Sequence, residues 1–192
     1  MIDWIKNINK DFPSFWKTYL SKFDEKSNRF VVLSMNTTGL DTKNDFILSI
    51  GCISVINNSI LISDSFEINI MSNRTSLENQ FFSDKLEVIE SEGIRKFINY
   101  IENAVLIGHR INFDIEILNE ALDKIECGRL KNEALDVEVM YRKFKDINSK
   151  NFAIDDLLKK FNILKNDRES SLEDAYSIAL LFLKLKSRLQ IL

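Results

Sequence analysis

Apolar residues along the chain change their period, and each change marks an element. From Ile2 to Phe23, the positions Trp4, Ile5, Ile8, Phe12, Phe15, Trp16, Tyr19 and Phe23 recur at three- and four-residue intervals. That is an amphipathic helical stripe, restarted near Pro13. One reading lays this helix over the domain's own core. The other makes it a docking helix for a protein partner, because Trp and Phe anchor interfaces. The polar joint from Asp24 to Asn28 then sets an expected division: an N-terminal helical extension over 1–28 and the main domain over 29–192.

Beyond the joint the pattern turns to strands. Strand one is expected from Arg29 to Ser34, strand two from Phe46 to Ile56 and strand three from Ser59 to Ile70. Gly39 to Asp45 forms the first turn, and Asn57-Asn58 is a tight-turn signal, so the three make an antiparallel meander. After a polar stretch from Met71 to Lys85, a helix is expected over 87–103, with Ile89, Ile94, Phe97, Ile98 and Ile101 inward. Ala104 to Ile107 is a short buried strand, followed by a helix capped by Asn112. Ala134 to Asp136 ends a fifth strand, and helices follow over 137–145, 154–161 and 172–189. The last is apolar nearly all round from Ala175 to Leu185, which marks a buried helix. The expected fold is α/β, a five-stranded mixed sheet flanked by helices.

Composition narrows the class. Of 192 residues 45% are hydrophobic, with fourteen Phe against five Gly and one Pro, which suits one domain with its own core. Acids outnumber bases 29 to 26 for a net charge of -3, so no global footprint for nucleic acid exists, though a basic face can. Cys52 and Cys127 stand far apart, outside zinc-site or disulfide spacing, and read as reduced thiols of a cytoplasmic protein. No apolar run approaches a membrane span, and Met1-Ile2-Asp3-Trp4 lacks the basic start of a signal peptide.

The candidate chemistry lies in three stretches. Strand one runs through Ser34, Met35 and Asn36 into Thr37-Thr38-Gly39-Leu40, an apolar run delivering polar side chains to a turn. The short strand ends in Gly108-His109-Arg110 and continues through Asn112-Phe113-Asp114. Near the C-terminus, Glu169 precedes Glu173-Asp174-Ala175. In this order the stretches resemble the three motifs of the DEDD (DnaQ-like) 3′–5′ exonucleases, in the His-bearing branch typified by polymerase proofreading subunits. The helix opening Asn151-Phe152-Ala153-Ile154-Asp155-Asp156 also resembles that family. The implied fold is ribonuclease H-like, and the likeness runs from Arg29 to Leu189.

The resemblance implies a two-ion site and shows what has changed in it. Asp114 and Asp174 stand at family carboxylate positions and are the implied metal ligands. Ser34 and Asn36 replace the motif-one Asp and Glu, and Glu169 replaces the motif-three His. Magnesium-type ions need charged oxygen ligands, and paired ions activate the water and stabilise the leaving oxygen. With two negative charges missing, Mg or Mn is expected to bind loosely or not at all. Glu169, Glu173 and Asp41 are candidate substitutes. Thr37, Thr38, His109, Arg110, Asn112 and Phe113 are the implied nucleic-acid contacts. An Ile-His-Gly-Ile-like element usual in related sequences is missing from Leu77 to Asp84. The readings are a catalytically impaired exonuclease-like protein that binds or scaffolds, an active metal-dependent exonuclease on single-stranded DNA or RNA ends, and a non-cleaving end binder. Asp114 and Asp174 also have a plain role, since a carboxylate in a helix's first turn is favoured by the dipole.

Overall fold

The computed structural model describes residues 11–71, 87–148, 151–164 and 170–190, and it is built around strand β1 (Phe30–Thr37). On one side β1 pairs antiparallel with β2 (Ile47–Ile56), on the other parallel with β5 (Val105–Gly108). β2 pairs antiparallel with β3 (Ser59–Ile70), and the link Asn57-Asn58 has φ of 50° and 62°. Two left-handed residues match the twist of the strands they join. The edges are β4 (Glu87–Val88), parallel to β3, and β6 (Ala134–Asp136), parallel to β5. The sheet therefore has six strands, in the order β4-β3-β2-β1-β5-β6. The sixth, β4, corrects the expected five: two residues are too short to carry a period, and the sequence pattern runs them into the next helix.

Strand alternation splits the core into two layers. Val31 and Leu33 point toward α1 (Ser14–Ser21), α2 (Glu90–Ile101) and α3 (Ile111–Lys124), meeting Ile94, Phe97, Leu118 and Leu122. Val32, with Ile53 and Ile107, points to the other side. There it meets α4 (Val137–Lys145), α5 (Ile154–Lys160) and α6 (Ser171–Leu189). Trp16 and Tyr19 of α1 are 1% and 3% exposed and belong to the first layer. The Tyr19 hydroxyl donates to Asn132 Oδ1 at 2.7 Å and accepts from the Lys131 N–H at 2.8 Å. Trp4 lies outside the described residues.

The start of α6 crosses the sheet at Gly51. A Cβ there would lie 2.1 Å from Leu172 N and from the Ser171 carbonyl carbon. Glycine in a strand interior commonly marks such a close backbone approach. Gly51 pairs with Ser34 on one side and Glu67 on the other, so the crossing brings the first turn of α6 over the end of β1. Glu67 fixes it, since its Oε1 accepts from the Ser170 hydroxyl at 2.5 Å and the Leu172 N–H at 3.4 Å.

Candidate functional site

Four chain segments meet in one pocket of about 180 Å³, where Ser34, His109, Asp114 and Asp174 converge over a wall of Leu33, Met35, Ile154, Leu158 and Ile178. β1 delivers Ser34, the β5–α3 corner His109, the first turn of α3 Asp114, and the first turn of α6 Asp174. Asn36 does not line this pocket. Its Nδ2 donates to Ser49 Oγ at 3.0 Å. An amide opposite a serine on the neighbouring strand finds a partner there.

The corner carrying His109 is held by acids the motifs did not single out. Asp136 caps α4, accepting from the Glu138 and Val139 N–H groups. Its other oxygen accepts from the Ile111 N–H at 3.2 Å, so one side chain ties the starts of α3 and α4 together. This corrects the expected cap at Asn112. Helix α3 starts at Ile111, after Arg110 at φ 56°, and exposed Asn112 lies inside its first turn. Its first N–H is served from across the fold.

Glu138, 5% exposed, accepts from the Phe152 N–H at 3.3 Å and lies 3.6 Å from His109 Nε2 and 3.5 Å from Arg110 Nε. His109 Nε2 is 2.9 Å from the Phe152 carbonyl oxygen, which can only accept, so Nε2 carries the proton.

The other motif residues have local structural partners. Thr37 Oγ1 donates to the Gly39 carbonyl and Thr38 Oγ1 to Asp45 Oδ1, each at 2.7 Å. Asp45 Oδ2 also accepts from the Asp41 N–H, so the Thr-Thr-Gly loop closes on one carboxylate, and Asp41 is taken up by that loop. Phe113 packs half-buried against the core. Glu169 and the stretch from Leu77 to Asp84 lie outside the described residues.

Burial singles out Asp114. Asp114 is 8% exposed, and burial first, then the nearby Asp136 carboxylate, push it well above the ordinary carboxylate range. It is a group that favours its neutral form unless a cation joins it. Among the described residues no three of His, Cys, Asp and Glu stand together where they could hold a metal ion. Among the described residues, a neutral hydroxyl and the two carboxyl groups of Asp114 and Asp174 do not fit a two-ion site, because each ion needs several charged oxygens.

Comparison with known proteins places the chain in a family. The Exonuclease model of the RNase_T family matches residues 31–182, so the chain belongs to this exonuclease family. The chain is 29% identical over 171 residues to the PolC-type DNA polymerase III of Caldanaerobacter subterraneus subsp. tengcongensis, across 84% of this chain and 12% of the relative. It thus spans about an eighth of that protein. The fold is that of E. coli exonuclease I in complex with a dT13 oligonucleotide, with a TM-score of 0.69 at 13% identity over 85% of this chain and 42% of that one. The same enzyme has been solved with zinc and single-stranded DNA. The nuclease domain of 3′hExo, a DEDDh member bound to rAMP, gives 0.67 at 12% identity over 83% of this chain and 92% of that one. These neighbours support the ribonuclease H-like assignment.

Residues that motif reading missed are Gly51, Glu67, Asp136 and Glu138. Gly51 had a signal, a lone glycine inside an apolar strand. So did Asp136, an acid directly before a helical pattern. Glu67 and Glu138 had none, because their partners come from distant segments.

Proposed function

We propose that this chain is an exonuclease-family domain that has lost metal-dependent hydrolysis and serves as a binding or scaffolding module. The observation that carries the reading is the donor set of the pocket. Ser34 faces Asp114 and Asp174 where the family's strand supplies an acid, and the Asn36 amide is engaged with Ser49. A neutral hydroxyl cannot supply the charge that binds a hard dication. His109 is held at the edge of the pocket by Phe152 and Glu138, both through Nε2. A protein partner using the N-terminal segment would have to use a face other than that of Trp16 and Tyr19, which the core occupies.

A second reading, an active exonuclease with substitute ligands, has one observation in its favour. Glu173, beside Asp174, keeps a buried Oε2 without a hydrogen-bond partner. Calorimetric titration with Mn²⁺ separates the two. The proposal expects no stoichiometric binding at micromolar metal, and binding gained on Ser34→Asp with Asn36→Glu. Tight stoichiometric binding by the natural chain, abolished by Glu173→Gln, would replace the proposal with the second reading.

A further inference from the structure

The first turns of α5 and α6 reach the pocket with Ile154 and Asp174, and both helices end, together with α4, at one groove. That groove, about 1210 Å³, lies at the far end of α6. Thirteen residues separate Asp174 from Ser187 on its wall, about 20 Å of helix. Its charged lining is Lys145, Lys160, Lys184 and Arg188, all cationic and exposed, in a chain whose acids outnumber its bases. None makes an ion pair with a described residue.

Cations at helix C-termini have a plain explanation, since they complement the carbonyl ends. Each helix end offsets only about half a charge, however, so three ends leave roughly two to three positive charges facing solvent. Between the cations lie aromatic rings. Phe144 and Phe161 are half-buried with centroids 6.4 Å apart, Tyr141 stands 6.0 Å from Phe161, and Lys145 Nζ lies 4.8 Å from the Phe144 ring. Positive charge with interleaved aromatic faces suits a flexible polyanion that also carries flat apolar bases. An acidic protein segment would use the charge and leave the rings idle.

We propose that this groove is a binding site for single-stranded nucleic acid, distinct from the pocket and reached without it. Phosphates contact the four cations, and bases lie against Phe144 and Phe161. The proposal is independent of whether the pocket hydrolyses anything, and its failure would leave the pocket reading standing.

The test is fluorescence anisotropy with labelled dT20 in EDTA, across 50 to 300 mM NaCl. The four-site variant Lys145→Gln, Lys160→Gln, Lys184→Gln, Arg188→Gln is compared with a charge-matched control elsewhere, Lys17→Gln, Lys22→Gln, Lys96→Gln, Arg129→Gln. Circular dichroism checks both folds. The expected result is at least a tenfold loss of affinity at 100 mM salt for the groove variant, with the salt slope smaller by roughly 2 to 3. The control should shift less than twofold. Equal losses in both variants, or no dT20 binding at 50 mM salt, would overturn the proposal. So would polyglutamate displacing dT20 as well as unlabelled dT20 does, because the groove would then read charge alone and suit an acidic protein segment better.

Discussion

Asp114 shows what burial beside a like charge does to a single residue. The side chain is buried beside Asp136, and both conditions raise its pKa. The native state therefore holds this proton more tightly than the unfolded chain, whose Asp titrates near 3.9. The contribution of Asp114 to stability is greatest in acid and declines as pH rises from about 4 toward the raised native value. Asp114→Asn removes the titration. Urea unfolding of the variant from pH 4 to 7 should show a flatter stability profile than the natural protein, and parallel profiles would sink this account. A bound dication would reverse the bias on Asp114.

At the scale of elements, the pocket exists because α6 sits directly on Gly51. Replacing it with Ala puts a Cβ 2.1 Å from the α6 backbone, and the helix must lift. Gly51→Ala should cost on the order of 3 kcal/mol or more, and an unchanged melting temperature would show that α6 docks differently. Asp136 is the second keystone. Asp136→Ala removes the α4 cap and the acceptor for Ile111 N–H together, an expected loss of about 1–2 kcal/mol in chemical denaturation.

Much of this layer was readable in advance. β3 was placed from Ser59 to Ile70 because the Asn-Asn turn fixed its start, and β6 and α4 were placed to the residue. β4 escaped because two residues have no period. The α3 cap escaped because Asp136 supplies it through space. Ser34, His109, Asp114 and Asp174 could be named because each lies on a local motif. Glu138 beside His109 and Glu67 at the α6 start could not, since only tertiary contact connects them to the site.

For the whole molecule, the fold separates two poles. The starts of α5 and α6 line the pocket, and their ends, with that of α4, line the basic groove. The first helix closes the opposite layer of the core. Trp16 is 1% exposed, so Trp16→Ala should cost about 3–5 kcal/mol. Loss of any co-purifying partner on that change would then track unfolding, as thermal melts would reveal. If the variant melts like the natural protein yet loses a partner, α1 is a docking helix after all.

We propose that the family's cleft persists here without the ligands for its chemistry. Degradation of a 5′-labelled single strand from its free 3′ end tests it most directly, in Mg²⁺ and in Mn²⁺ with EDTA as control. The natural chain runs beside the triple replacement Ser34→Asp, Asn36→Glu, Glu169→His. The account predicts no metal-dependent trimming by the natural chain and measurable trimming by the replacement. Trimming by the natural chain that EDTA abolishes would contradict it.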